Sequence, residues 1–166
     1  MDGNGWTREG AGNRMRRKEK EIIDRAEIEA VIAESTVCRL AMADDDGPYL
    51  VPLCFGYKEN TLYFHSAGAG KKLDILKKGN RVCFEFDIGQ EIIRKGENGC
   101  EWSMKYRSVI GFGRASFVDG TDAKRKALDI IMGQYGDGPF EYSAAKIEKT
   151  TIVKVDIKQM TGKRSG

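Results

Sequence analysis

Apolar and polar residues alternate with a period of two along much of the chain after residue 35. Val82, Phe84 and Phe86, for example, would share one face of a strand while the residues between them share the other. Residues that favour tight turns, mainly glycine, asparagine and aspartate, separate these runs. The pattern predicts six strands: Thr36–Ala43, Tyr49–Tyr57, Thr61–His65, Arg81–Asp87, Met104–Val118 and Thr150–Ile157.

Three or four short segments have the spacing of amphipathic helices instead. Asp24 would cap the first, which runs to about Glu34, and Lys71–Lys78 would form the second, ending at Gly79. The others are predicted after a cap at Thr121 or Asp122, and near Ser143–Glu148. Because the strands are joined mainly by turns, we predict a mainly β protein, an antiparallel β-barrel with peripheral helices.

The composition indicates a single globular domain. The 166 residues can form one substantial core, and 40% hydrophobic with 32% charged residues is ordinary for a globular protein. Residues 1–14 are rich in glycine, so we expect a disordered leader followed by one domain over residues 15–166. No apolar run is long enough for a membrane span or a secretory signal. We therefore expect a cytoplasmic protein without a membrane partner.

Cysteine, histidine and charge patterns exclude several classes of site. Four scattered cysteines and a single histidine give neither a disulfide framework nor zinc-ligand spacing, so no metal is predicted. The net charge of +3 is small, and no nucleic-acid partner is predicted. Residues 14–20 form a basic run that we interpret as a solvated arm. A nucleic-acid-binding barrel that uses this arm is the lowest-ranked alternative.

The segment from His65 to Lys72 combines a strand end, a loop of small residues and a helix that opens with two lysines. Free N–H groups at a helix N-terminus attract an anion. Lys71 and Lys72 would oppose the helix dipole unless something negative lies between them, and Ser66 could donate a hydrogen bond to that group. The segment fits a phosphate site, and it also fits a solvated helix start. The sole histidine, His65, is a candidate donor or proton relay beside it.

Pro52 interrupts the apolar run Leu50–Gly56 and cannot donate a hydrogen bond to a sheet. This predicts either an edge strand or a bulge at that point. The free backbone groups of an edge strand could bind the hydrogen-bonding rim of a flat heterocycle. An ordinary barrel edge would have the same sequence.

Aromatic, basic and hydroxyl side chains are concentrated in residues 100–113, at the start of the predicted long strand. Aromatic residues and arginine are favoured in protein interfaces. The alternative is core packing by Trp102 and Tyr106 with Arg107 on the surface.

In their order and spacing, these segments resemble the pyridoxamine 5′-phosphate oxidase-like FMN-binding split-barrel superfamily, and within it the nitroimidazole-resistance branch. The resemblance covers residues 15–164. It is carried by the motifs Val37–Ala41, Pro48–Tyr57, Leu62–Ser66, Gly70–Leu73, Arg81–Glu85 and Tyr106–Gly113. It implies a six-stranded antiparallel FMN-binding split barrel that forms a homodimer with the flavin at the subunit interface.

The resemblance also implies which residues contact the cofactor. One strand would line the flavin ring, the helix start would hold the phosphate, and the partner subunit would contribute from the long strand. The implied cofactor-binding residues are Arg39, Val51, Pro52, Leu53, Cys54, His65, Ser66, Lys71, Lys72, Tyr106, Arg107, Ser108 and Val109. His65 is also the implied catalytic residue.

The implied activity is that of an oxidoreductase acting on a small planar molecule such as a nitroaromatic, with FMN, or else FAD, as cofactor. Vitamin B6 oxidases carry an arginine and a lysine where this chain has Tyr49 and Cys54, and the chain lacks their basic, histidine-rich tail. Pyridoxamine phosphate oxidation is therefore not expected. A non-catalytic module that binds or sequesters flavin or haem is the alternative.

Overall fold

The computed structural model describes residues 15–166, and the predicted leader, residues 1–14, lies outside the described residues. The strands are β1 (Glu21–Ile22), β2 (Cys38–Asp44), β3 (Gly47–Leu53), β4 (Gly56–Lys58), β5 (Thr61–Ser66), β6 (Arg81–Ile93), β7 (Ser103–Val118) and β8 (Thr151–Ser165). The helices are α1 (Arg25–Glu34), α2 (Lys71–Lys78), α3 (Thr121–Gly133) and α4 (Ala144–Lys149). None of the helices within residues 15–166 is long and apolar enough to cross a membrane.

The strands of the described chain pair antiparallel in the order β3-β2-β6-β7-β8-β5-β4, with β1 added to β8. The mainly β class and the antiparallel arrangement are confirmed, but the described chain has eight strands rather than the predicted six. One additional strand arises because the predicted strand Tyr49–Tyr57 is divided into β3 and β4. The other is β1, whose two residues are too few to produce a periodic pattern.

Strands β3 and β4 lie at opposite ends of the strand order, yet Cys54 and Phe55 alone separate them in the chain. Because three backbone steps reach at most roughly 11 Å, the sheet must curl until its two end strands meet. The described chain has no ladder between β3 and β4, so the barrel is split along this seam. Phe55 fixes the crossing: its ring is buried against Phe86, and its N–H donates to the Tyr135 hydroxyl at 2.9 Å.

The last strand is longer than its sequence pattern indicates. It continues to Ser165, beyond the predicted end at Ile157, and pairs with the first half of β7. Residues 158–165 are mostly polar and show no alternation, which is why the pattern missed them. The β7–β8 pairing contains a register shift between Phe112 and Gly113.

The core fills the inside of the barrel, and the described helices cover only part of the barrel's outer surface. Buried side chains such as Leu40 and Phe84 point inward, and helices α1 and α2 add their apolar faces to them. Helix α3 lies on the outside of β4, β5 and β8, where Ala127 and Ile131 pack on Ile152. Across β3, β2, β6 and β7, no described helix covers the outer side of the sheet; we call this side the open face.

Candidate functional site

The N-terminal end of α2 provides backbone donors without partners. The helix has the predicted bounds, and Gly70 precedes it with a φ of 138°, a conformation that other residues rarely adopt. The Gly70 carbonyl accepts hydrogen bonds from the N–H groups of Leu73 and Asp74, at 2.9 and 3.1 Å. Those of Lys71 and Lys72 have no partner within residues 15–166, and no side chain caps the helix. Two N–H groups are therefore available to an anion.

The two lysines of this helix end have different surroundings. Lys72 is half-buried, and burial lowers the pKa of its ammonium below the ordinary 10.5 because the charged form loses hydrating water. No carboxylate of the described chain pairs with it. Lys71 is exposed, and its Nζ lies 5.0 Å from the centroid of the Tyr49 ring. A half-buried cation without a protein counter-ion favours an anionic ligand.

A cleft of about 290 Å³ lies between this helix end and strand β3. It is lined by Tyr49, Val51, Pro52, Leu53, Ser66, Gly70, Lys71, Lys72 and Leu73. The structure thus brings together six of the predicted cofactor-binding residues, from the proline-bearing strand, the small-residue loop and the helix start. Three lining residues were not predicted as contacts. Tyr49 could have been found from its spacing, since it lies two residues before Val51 on the same face of the strand.

Two further predicted residues lie beside the cleft in the chain but do not line it. Cys54 is exposed at the seam between β3 and β4. His65 is exposed and lies one residue before Ser66 in β5. Because successive side chains of a strand point to opposite faces, the His65 imidazole and the Ser66 hydroxyl do not share a face. The catalytic role of His65 stays a prediction.

Four residues of strand β7 are predicted to contact the cofactor bound by the partner subunit. They lie on two different faces of the strand. Tyr106 and Ser108 alternate onto the open face. Arg107 lies on the inner side, where its guanidinium pairs with Glu34 at 2.7 Å, and Val109 is completely buried in the core. None of the four lines the cleft of its own chain. Tyr106 and Ser108 are therefore the ones whose side chains could reach a partner's ligand.

Arg39 also lies away from the cleft, on the open face. Its guanidinium pairs with Glu85 at 3.1 Å and with Asp87, which also accepts a hydrogen bond from Gln90. Arg39 and Asp87 border a separate depression of about 510 Å³ between the end of α1 and β6. Burial, followed by the charge of Asp87, raises the pKa of the Glu85 carboxyl. Within the described chain the Arg39 guanidinium is thus paired with carboxylates.

The fold and the cleft together define a split-barrel protein in which helix α2 begins with two N–H groups that have no partner within residues 15–166. A family model described as pyridoxamine 5′-phosphate oxidase matches residues 24–164, and the chain belongs to that family. The chain is also similar to the solved structure of a candidate 5-nitroimidazole antibiotic resistance protein from Bacteroides thetaiotaomicron VPI-5482. The two share 36% identity over 87% of this chain and 86% of that chain, with a TM-score of 0.79. The predicted resemblance is confirmed.

Two other comparisons extend this result. The FAD and heme binding protein from Mycobacterium smegmatis has the same fold, with a TM-score of 0.79 and 20% identity over 88% of this chain and 73% of that chain. An uncharacterized protein of Rhizobium meliloti (strain 1021) is 33% identical over 64 residues, which are 39% of this chain. The matched stretch covers 42% of that curated relative's length.

Proposed function

We propose that the chain binds FMN, with the phosphate at the start of α2 and the ring along strand β3. The observation that carries the proposal is the cleft in which the unpaired Lys72 ammonium, the free N–H groups of Lys71 and Lys72, and Ser66 lie beside an edge strand. A phosphate monoester carries nearly two negative charges at neutral pH and accepts several hydrogen bonds. FAD, which has a second phosphate, is the other flavin that this site would accept.

The proposed activity is that of a cytoplasmic oxidoreductase. Bound FMN would transfer electrons to a small planar acceptor, and the chain would bind and orient the FMN. Lys72 and the helix N–H groups would hold the phosphate, while Val51, Pro52 and Leu53 would form the wall beside the ring. We infer a nitroaromatic acceptor, with His65 positioning or protonating it. The description of the Bacteroides relative, 36% identical, supports this acceptor class.

A second copy of the chain would complete the site. The volume of about 290 Å³ is at the lower limit of pockets that enclose a cofactor-sized ligand. The open face next to the cleft carries an apolar row, formed by Leu50, Ala41, Cys83 and Phe112 through the pairing of four strands. Leu50 is 57% exposed, and Ile110 in the adjacent row is 42% exposed. Exposed apolar surfaces of this kind favour protein contacts.

We therefore propose a homodimer formed through the open face, with Tyr106 and Ser108 of each copy close to the ligand of the other. Ile110→Glu should place a charge in this contact, so that the variant sediments as a monomer and also loses FMN. Met132→Glu is the matched control, because Met132 is exposed on α3, away from the open face. A monomeric Ile110→Glu variant that keeps its full FMN affinity would exclude a contribution of the partner to the site.

The binding proposal is tested by reversing one charge. Lys72→Glu should weaken FMN binding on the order of 100-fold, because a charge-assisted contact is replaced by repulsion. Lys78→Glu makes the same change in charge at the other end of α2, outside the cleft, and should bind FMN as the unmodified protein does. Purified protein should be yellow and should release FMN identifiable by mass. Unchanged affinity in Lys72→Glu would reject the phosphate assignment.

A flavin- or haem-binding module without turnover is the second candidate. It is favoured by the position of His65, which does not line the cleft, and by the description of the Mycobacterium protein as binding FAD and heme. The two candidates are separated by reducing the protein-bound flavin and adding a nitroaromatic. Reoxidation with formation of reduced product supports the oxidoreductase, and bound flavin that stays reduced supports the binding module.

A further inference from the structure

The hydroxyl of Tyr135 lies between the chain segments of β2 and β3 at the point where their ladder ends. The last pair of that ladder is Cys38–Leu53. Two residues beyond this pair on each segment, the Phe55 N–H donates to the Tyr135 hydroxyl at 2.9 Å, and the hydroxyl donates to the Thr36 carbonyl at 3.0 Å. Because Tyr135 follows the C-terminal end of α3, its oxygen atom joins three segments of the chain.

The hydroxyl takes the place of a hydrogen bond between the two strands. The β2–β3 hairpin closes with the pair Asp44–Gly47, and hydrogen-bonded pairs recur at every second position from there. In this register Thr36 and Phe55 would form the next such pair, with the Phe55 N–H donating to the Thr36 carbonyl. The tyrosine hydroxyl instead accepts from that N–H and donates to that carbonyl. Tyr135 is therefore inserted between the two segments where the chain leaves β3 for β4.

The two walls of the cleft lie on opposite sides of the seam. Residues of β3 form one wall, at one end of the strand order. Ser66, at the end of β5, forms the other wall together with the start of α2, and β5 lies near the opposite end of the order. Helix α3 packs on β4 and β5, so Tyr135 reaches from that side of the seam to Thr36 on the other side. Its hydroxyl therefore contributes to the distance between the two walls.

We propose that Tyr135 is a positioning residue for binding of the flavin ring, an inference that rests on the proposed function. Its hydroxyl holds the end of β3, including Leu53, at the separation from Ser66 at which a planar ring fits between the walls. Without the hydroxyl, the Phe55 N–H and the Thr36 carbonyl either lose their partner or bond to each other directly. Either change moves the end of β3 relative to α2, and it leaves the phosphate contacts on α2 in place.

The proposal is tested by removing the hydroxyl alone. Tyr135→Phe keeps the aromatic ring, which packs edge-on against Phe55 with the ring centroids 6.5 Å apart. We expect FMN and riboflavin to lose affinity alike, each by about tenfold, because the wall beside the ring moves and the phosphate contacts stay. Lys72→Glu, by contrast, should weaken the binding of FMN and spare that of riboflavin. Unchanged affinity of Tyr135→Phe for both ligands, or a loss confined to FMN, would overturn the proposal.

Gln134→Met is the matched control at the neighbouring position. The Gln134 amide donates to the carbonyls of Ala33 and Ser35, both at 2.9 Å, and so joins α3 to the end of α1. This variant should lower the melting temperature at least as much as Tyr135→Phe, while FMN and riboflavin bind within about twofold of normal. An equal loss of affinity in the two variants would show that any weakening of the α3 end affects binding, and would overturn the specific role of the Tyr135 hydroxyl.

Hydrogen exchange provides a second test, which needs no variant. Because coupling between two contacts is reciprocal, binding of the ring should stabilise the hydrogen bond that positions the wall. Exchange of the Phe55 amide should therefore slow by at least about threefold when riboflavin saturates the unmodified protein. Unchanged exchange of this amide would overturn the role of Tyr135 while leaving flavin binding intact. Failure of the unmodified protein to bind either flavin would instead reject the proposed function, and the role of Tyr135 with it.

Discussion

The Lys71 ammonium lies 5.0 Å from the centroid of the Tyr49 ring, so a cation of α2 rests on an aromatic residue of β3 across the cleft. Cation–π contacts at exposed positions contribute about 0.5–1 kcal/mol. Lys71 is otherwise exposed, and its side chain could adopt many rotamers that would place the ammonium away from a bound ligand. The Tyr49 ring therefore positions the more mobile of the two lysines.

Replacing Tyr49 should weaken phosphate binding in particular. Tyr49→Leu removes the aromatic face, and FMN should bind about two- to fivefold more weakly. Tyr49→Phe keeps the face and is the matched control, with affinity close to normal. Riboflavin, which lacks the phosphate, should respond less than FMN to Tyr49→Leu in the same fluorescence titration. An equal loss for the two ligands would show that Tyr49 acts on the ring rather than through Lys71.

The affinity for FMN should fall as the pH rises, and it should do so at a pH below the ordinary pKa of a lysine. The protonated form of Lys72 attracts phosphate, and burial holds its pKa below 10.5 in the unliganded protein. As the pH rises through that lowered pKa, binding of FMN requires proton uptake and weakens. The folding stability of the unliganded protein should change with pH in the opposite direction. Between the lowered pKa and 10.5 the unfolded chain binds more protons, so the Lys72 contribution to folding stability rises with pH.

Lys72→Arg separates this effect from other alkaline transitions. The guanidinium keeps its charge throughout the alkaline range in which lysine titrates, so the decline attributed to Lys72 should disappear from the FMN titration. Isothermal titration in buffers of different ionisation heats would measure the proton uptake directly. A decline that persists unchanged in Lys72→Arg would assign the titration to another group.

His65→Gln should separate binding from turnover. The side chain is exposed, so the substitution should leave the melting temperature unchanged and the FMN affinity within about twofold of normal. If His65 positions or protonates the acceptor, nitroaromatic reduction should fall by at least about tenfold. Steady-state rates with saturating FMN are the measurement. An unchanged rate would remove His65 from the chemistry.

Gly56→Ala should destabilise the protein strongly. A Cβ at this position would lie 2.5 Å from the Ile130 carbonyl oxygen and 2.6 Å from the Ile131 nitrogen, backbone atoms of α3 that cannot rotate away. We expect a loss of about 3 kcal/mol and a melting temperature lower by about 10 °C. Gly133→Ala is the control, because a Cβ there meets nothing within 4 Å. Similar melting temperatures for the two variants would contradict the close packing of α3 on β4.

Local signals in the sequence predicted the parts of the site that depend on neighbouring residues. The glycine loop and the apolar spacing set the bounds of α2, and Pro52 marked the edge strand, because both effects act through the residue's own backbone. The N-cap of α1 at Asp24 was predicted for the same reason, and its carboxylate accepts from the Ala26 N–H. The cap predicted for α3 at Thr121 or Asp122 was wrong: Gly120 holds that position, with a φ of 85°.

Features that depend on distant partners could not be predicted in this way. Nothing local indicates that Arg39 meets Glu85 and Asp87, which are more than forty positions away along the chain. The burial of Val109 and the outward position of Ser108 depend on the face that β7 turns to the core, which its neighbours β6 and β8 decide. The prediction treats all four contact residues of β7 alike, whereas the two-residue period of the strand places two of them on each face.

The pairing of β8 also constrains when this protein can fold. Strand β8 bonds to β1, β5 and β7, so Glu21 finds its partner Lys163 near the other end of the chain. Contacts so distant in sequence slow folding, and a nascent chain still lacking residues 151–165 leaves three strand edges without partners. The ribosome must therefore translate nearly the whole domain before the barrel can close, and until then these strand edges are open to pairing with other chains.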